Sequence, residues 1–205
     1  MKKLQKIRVR ALACLAAFAL GSVIAPVGAA PVHAAENEYQ IYPTPHSITY
    51  GDGSLHLGKA DLVVEKGIDT DTETRLDDVL SMQAIPGITW KGKESIPSGS
   101  GLSVLVGIKG SNDVVDKHVA DLVAQGKIKY DAALFDHIDS YLLAILPGKN
   151  GARSEIIVLG KDTDCAFYGL TSLYRIFQQV TGSQVRELTI ADYADVRNRG
   201  FIEGY

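Results

Sequence analysis

The seven residues Leu102–Ile108 read LSVLVGI, the most buried-looking strand of the sequence, and everything around them has to supply it with a core. Asn112 or Asp113 can cap a helix that follows it and runs to Ala124, with Val115, Val119, Leu122 and Val123 facing inward. Gly126 stands where a helix commonly ends. Tyr141–Leu146 and Ser154–Leu159 read as strands joined through Pro147-Gly148-Lys149-Asn150-Gly151, which predicts a hairpin. Asp162 or Thr163 then caps the strongest helix. Its apolar stripe is Phe167, Leu170, Tyr174, Phe177 and Val180, and Thr181-Gly182 ends it.

Upstream, Tyr39–Tyr42 reads as a short strand stopped by Pro43-Thr44-Pro45. His46–Tyr50 and Ser54–Leu57 read as two strands about a Gly51-Asp52-Gly53 turn. Leu62–Glu65 is a further strand, and Asp71–Met82 a helix broken at Pro86-Gly87. The stretch from Glu94 to Gly101, rich in Ser, Gly and Pro, reads as a loop. Val185–Ile190 is extended and Ala191–Arg199 a polar connector. These elements predict one α+β domain, a mainly antiparallel sheet with helices packed on one face.

The N-terminus reads as an export signal. Lys2, Lys3, Lys6, Arg8 and Arg10 precede an apolar run from Ala11 to about Val27, and Val32-His33-Ala34 predicts cleavage after Ala34. Gly21 and Pro26 interrupt the run, which argues against a membrane anchor. Without residues 1–35 the chain keeps 16 basic and 24 acidic side chains, a net charge of −8. That charge disfavours nucleic acid and anionic membranes as partners and suits a soluble protein secreted to the extracellular space. Cys165 is then the lone cysteine, so no internal disulfide can form, and its apolar helical setting predicts a buried, inert thiol.

Few residues suggest chemistry. Asp77 and Asp78 are neighbours on a helix, about 100° apart, and read as a solvated face. Asp136 and Asp139 flank His137 before a strand and read as a loop. His33, His46, His56, His118 and His137 are scattered, without metal-ligand spacing. No phosphate-binding loop and no nucleophile elbow is present. No metal and no cofactor is expected.

Two segments carry a resemblance. Residues 159–177, LGKDTDCAFYGLTSLYRIF, resemble the last helix of the α+β domain that precedes the catalytic barrel in β-N-acetylhexosaminidases of glycoside hydrolase families 20 and 84. Residues 190–205, IADYADVRNRGFIEGY, resemble the junction into that barrel. Both families share the Arg-Gly matched by Arg199-Gly200. Glu203-Gly204-Tyr205 follows the family 84 wording rather than the Met-Leu-Asp towards which family 20 continues. After the signal peptide read over 1–35, the resemblance implies an accessory domain over 36–190 and a linker with the first strand of a (β/α)8 barrel over 191–205. The rest of the barrel is missing, so the chain reads as a fragment.

The implied activity is that of an exo-acting β-N-acetylglucosaminidase, of the type also called hyaluronidase or hyaluronoglucosaminidase. Its substrate is a glycan bearing N-acetylglucosamine. Gly204 is the implied substrate-binding residue, offering its backbone carbonyl to a sugar hydroxyl. The chemistry is substrate-assisted: the 2-acetamido oxygen attacks the anomeric carbon, one Asp polarises that group, and its neighbour Asp protonates the leaving oxygen. No cofactor is needed. That Asp pair lies downstream of the motif, so no catalytic residue is expected within this chain. A family 20 enzyme, and a non-catalytic module binding glycan or protein, stand as alternatives.

Overall fold

The computed structural model describes residues 38–85, 87–91 and 95–196. The signal sequence over 1–35 and the barrel strand over 200–205, Gly204 included, lie outside the described residues. Seven strands form a single sheet: β1 (Ser47–His56), β2 (Ala60–Val64), β3 (Gly87–Lys91), β4 (Leu102–Ile108), β5 (Tyr141–Leu146), β6 (Ser154–Gly160) and β7 (Gln184–Asp192). Their spatial order is β1-β7-β5-β6-β4-β2-β3. The helices are α1 (Thr70–Met82), α2 (Val114–Ala124) and α3 (Thr163–Phe177), with a short 3-10 turn at Leu134–Asp136.

The α+β class holds, but the sheet is mixed rather than mainly antiparallel. β3, β2, β4 and β6 run parallel to one another, while β6–β5, β5–β7 and β7–β1 are antiparallel. The chain returns from β2 to its neighbour β3 through α1, a crossover that restores strand direction. The helices also occupy both faces. Leu76, Val79 and Leu80 of α1 and Leu170, Leu173 and Ile176 of α3 pack with Val104, Val106, Leu143, Ile156 and Val158. On the opposite face Val115, Val119 and Leu122 of α2, with Ile128 and Leu134, pack with Val63, Leu105, Leu142, Ala144 and Ile157. Alternate residues of the central strands thus serve two cores, which is why β4 is apolar almost throughout. Each fully buried Leu or Ile contributes about 1.5–3 kcal/mol relative to exposure.

The expected hairpin β5–β6 forms, with its register running from Tyr141 opposite Gly160 to Leu146 opposite Glu155. Asn150 and Gly151 take φ of 55° and 79° in its loop, the left-handed pair these two residue types adopt most readily. The Gly51-Asp52-Gly53 segment is not a hairpin turn. It is a bulge within the single ten-residue strand β1, between Tyr50 opposite Leu188 and Ser54 opposite Arg186. Glu187 of β7 fills the bulge and its Oε2 accepts from Gly53 N at 3.0 Å. Tyr39–Tyr42 is likewise not a strand. It runs outside the sheet, tied by Tyr39 N donating to the Tyr50 hydroxyl at 2.9 Å and Arg186 N donating to the Tyr39 hydroxyl at 3.0 Å.

Helix starts follow the expected chemistry. Asp69, Asp113 and Asp162 cap α1, α2 and α3, each accepting a backbone N–H of the first turn. Two inward assignments shift. Val123 is 37% exposed, since α2 turns its Val115–Val119–Leu122 row to the sheet. In α3 the row on the sheet is Ala166, Leu170, Leu173 and Phe177, flanked by Gly169 and Ile176. A Cβ on Gly169 would sit 2.7 Å from Val158 Cγ1, so the glycine lets the helix approach the sheet. Phe167 and Tyr174 lie to the side, where the Arg75 guanidinium of α1 is 4.8 Å and 5.6 Å from their ring centroids.

Candidate functional site

Polar and aromatic side chains converge where β7 leaves the sheet. Asp192 ends β7 and Tyr193 follows it. The Tyr193 ring lies between two imidazoles, His46 on one face and His137 on the other. Both centroid separations are 3.8 Å, with interplanar angles of 16° and 13°. His46 immediately precedes β1, and His137 follows the 3-10 turn before β5. Strand pairing brings them together: Ser47 is opposite Ala191, and Tyr141 is opposite Asp192.

A hydrogen-bond chain runs through the same place. Asp192 Oδ1 accepts from His46 N at 3.0 Å and contacts His46 Nδ1 at 2.8 Å. His46 Nε2 contacts Asp195 Oδ1 at 3.0 Å. The Tyr141 hydroxyl donates to Asp192 Oδ2 at 3.1 Å and lies 2.6 Å from Ser172 Oγ. Ala194 N donates to Ile138 O at 3.0 Å, and Lys161 Nζ donates to His137 O at 2.9 Å. The hydrogen bond to Asp192, helped by Asp195 and opposed by burial, raises the His46 pKa above its ordinary value. Burial, with Asp192 close by, pushes the Tyr141 phenol upward and keeps it protonated.

This cluster holds a chain segment in place and has no catalytic layout. Ser172 is buried in α3, and its Oγ is bonded to the Tyr141 hydroxyl, which Asp192 holds in turn. Asp192 and Asp195 address opposite ring nitrogens of His46 and therefore do not converge on one point. Among the described residues no group of three or more His, Cys, Asp or Glu side chains could hold a metal ion. None of their helices is long and apolar enough to cross a membrane.

The other candidate residues keep apart. Asp77 and Asp78 are both exposed on α1. Asp136 lies in the 3-10 turn, and Asp139 takes φ 51° in the loop before β5. Cys165 is buried in α3, and burial, reinforced by Asp162, pushes its thiol up to about 12. His118 binds both carboxylate oxygens of Glu155, at 2.9 Å and 3.0 Å. Nothing local in the sequence marks the His46–Tyr193–His137 stack, because its members are far apart along the chain.

The family model for glycosyl hydrolase family 20, domain 2, matches residues 38–193. The chain belongs to this family. Among solved structures, that of CpGH84D is 38% identical with a TM-score of 0.69, over 82% of this chain and 26% of that one. A beta-N-acetylhexosaminidase from Bacteroides fragilis NCTC 9343 is 20% identical with a TM-score of 0.41, over 74% of this chain and 24% of that one. No curated protein matches the sequence. The chain spans about a quarter of the length of these solved structures. Within this family 20 domain 2, the matched region ends at Tyr193, so the histidine–tyrosine stack stands at the domain's C-terminal limit.

Proposed function

We propose that the chain is the N-terminal accessory domain of a secreted glycosidase that removes terminal β-linked N-acetylglucosamine from glycans, with family 84 favoured over family 20. The observation that carries this reading is the family 20 domain 2 match over residues 38–193, joined to 38% identity with CpGH84D. Residues 1–35 act as the export signal, and the mature protein works outside the cell. The wording Arg199-Gly200…Glu203-Gly204-Tyr205 supports the choice of family, with Gly204 presenting its carbonyl to the sugar.

Hydrolysis proceeds with retention. The substrate's acetamido oxygen bonds to the anomeric carbon as the glycosidic C–O bond breaks, and the leaving oxygen takes a proton from an Asp. Water then opens the cyclic intermediate. The paired carboxylates belong to the barrel. Among the described residues Asp77 and Asp78 face solvent, while Asp136 and Asp139 shape a loop.

The family 20 model match keeps a family 20 parent as the second reading. The residues following Tyr205 in the gene separate the two, since Tyr-Gly there continues the family 84 wording. The activity itself is tested by assaying the intact gene product on an aryl β-N-acetylglucosaminide, with a thiazoline mimic of the cyclic intermediate as inhibitor. Hydrolysis with retained configuration, blocked by the thiazoline, is expected. Inversion, or indifference to the thiazoline, overturns the mechanism. Calorimetric titration of N-acetylglucosamine oligomers into this chain should give no binding heat; saturable binding would favour a carbohydrate-binding module instead.

A further inference from the structure

His46 has a carboxylate at each ring nitrogen. Nδ1 is 2.8 Å from Asp192 Oδ1, and Nε2 is 3.0 Å from Asp195 Oδ1. A carboxylate only accepts, and a neutral imidazole carries a single N–H, so it can donate to one of these two partners. Satisfying both requires the imidazolium. Tyr193 fixes the ring plane through its stacking, and the His46 backbone N–H, itself donated to Asp192, fixes the ring's position. We propose that His46 is a proton-operated clamp on residues 192–195: charged, it ties Asp195 to Asp192 and holds the exit of β7 against the domain; neutral, it lets the Asp195 contact go. This does not depend on the glycosidase reading.

From the end of β7 come Asp192 and Asp195 in direct contact and the Tyr193 ring. One step removed are Tyr141, which donates to Asp192, and His137, on the far face of Tyr193. The two anions in contact outweigh the single stacked imidazole beyond the ring, so the site favours the cation. Asp195 is 77% exposed and is the arm free to leave, whereas Asp192 is held by Tyr141 as well. The amide of Ala194, donated to Ile138 O at 3.0 Å, lies inside the clamped segment and reports its opening.

The test is an imidazole NMR titration of the chain, with hydrogen exchange at Ala194 read at about pH 5 and about pH 8 and corrected for intrinsic rates. The expected results are a His46 midpoint above the ordinary histidine value and stronger Ala194 protection on the acid side. Asp195→Asn should lower the midpoint and flatten the pH dependence of protection. His46→Phe, which keeps an aromatic ring on Tyr193, should abolish that dependence. A His46 midpoint at or below the ordinary value, or Ala194 protection equal at both pH values, overturns the clamp. If His46→Phe does not fold, Asp195→Asn decides alone, and an unchanged His46 midpoint in that variant is contradictory.

Discussion

The Glu65 carboxylate accepts the Val115 backbone N–H at 3.0 Å, joining the end of β2 to the first turn of α2 across fifty residues of sequence. Glu65 is 1% exposed, yet its oxygens also accept from Asp116 N at 3.0 Å, Ile108 N at 2.9 Å and Ser111 Oγ at 2.9 Å. A buried acid is tolerated here because four donors and the positive end of a helix surround it. Gly107 makes the room, since a Cβ there would sit 2.8 Å from the Glu65 carboxyl carbon.

Glu65→Ala should therefore lower stability by about 3 kcal/mol or more, because two buried backbone N–H groups and one part-buried one lose their acceptor at once. Glu65→Gln keeps one acceptor oxygen and should cost about 1–2 kcal/mol. Denaturant unfolding of the two variants measures both. Equal midpoints for Glu65→Ala and the native chain would show that water replaces the carboxylate without loss.

Cys165 should be unreactive in the folded chain. With its thiol pushed up to about 12, roughly one molecule in ten thousand carries thiolate at about pH 8, and the side chain is buried in α3. In a Cys14→Ser background, an aromatic disulfide reagent should release colour only after denaturant is added. Rapid stoichiometric reaction of the native protein would contradict the packing of α3 on the sheet.

His46 links stability to pH. Its hydrogen bond to Asp192, together with Asp195 and against the opposing effect of burial, raises its folded-state pKa above the ordinary value of about 6.5. The stabilisation is then complete below about pH 6.5 and is lost as the pH rises through the folded-state value. The gap in unfolding midpoint between the native chain and Asp195→Asn should be wider at about pH 5.5 than at about pH 8. A gap that is constant or reversed would show that the ring is neutral throughout.

Much of the fold was legible because some elements announce themselves locally. β4, the β5–β6 hairpin and the capped starts of α2 and α3 each rest on a contiguous run of residues with their own turn or cap. Strand direction leaves no such mark, which is how a half-parallel sheet was expected to be mainly antiparallel. β3 was missed because Pro86-Gly87 reads as a stop and the strand-favouring run after it, Ile88-Thr89-Trp90, is only three residues long. The bulge in β1 reads as a hairpin turn because its true partner, β7, is about 130 residues away. In α3 the largest side chains drew the predicted stripe towards Phe167 and Tyr174, whereas the sheet is met by Ala166, Gly169 and Leu173. The candidate site was the least legible part. His46, His137 and Tyr193 are ordinary residues until β1, β5 and β7 align them.

Under the proposed function, this chain supports a β-N-acetylglucosaminidase whose catalytic groups lie outside residues 38–196. The most direct measurement is the turnover of an aryl β-N-acetylglucosaminide by the 205-residue chain beside the intact gene product, at equal molar concentration. No turnover is expected from the chain, and thiazoline-sensitive hydrolysis from the intact product. Hydrolysis by the chain alone, or none by the intact product, would contradict this proposal.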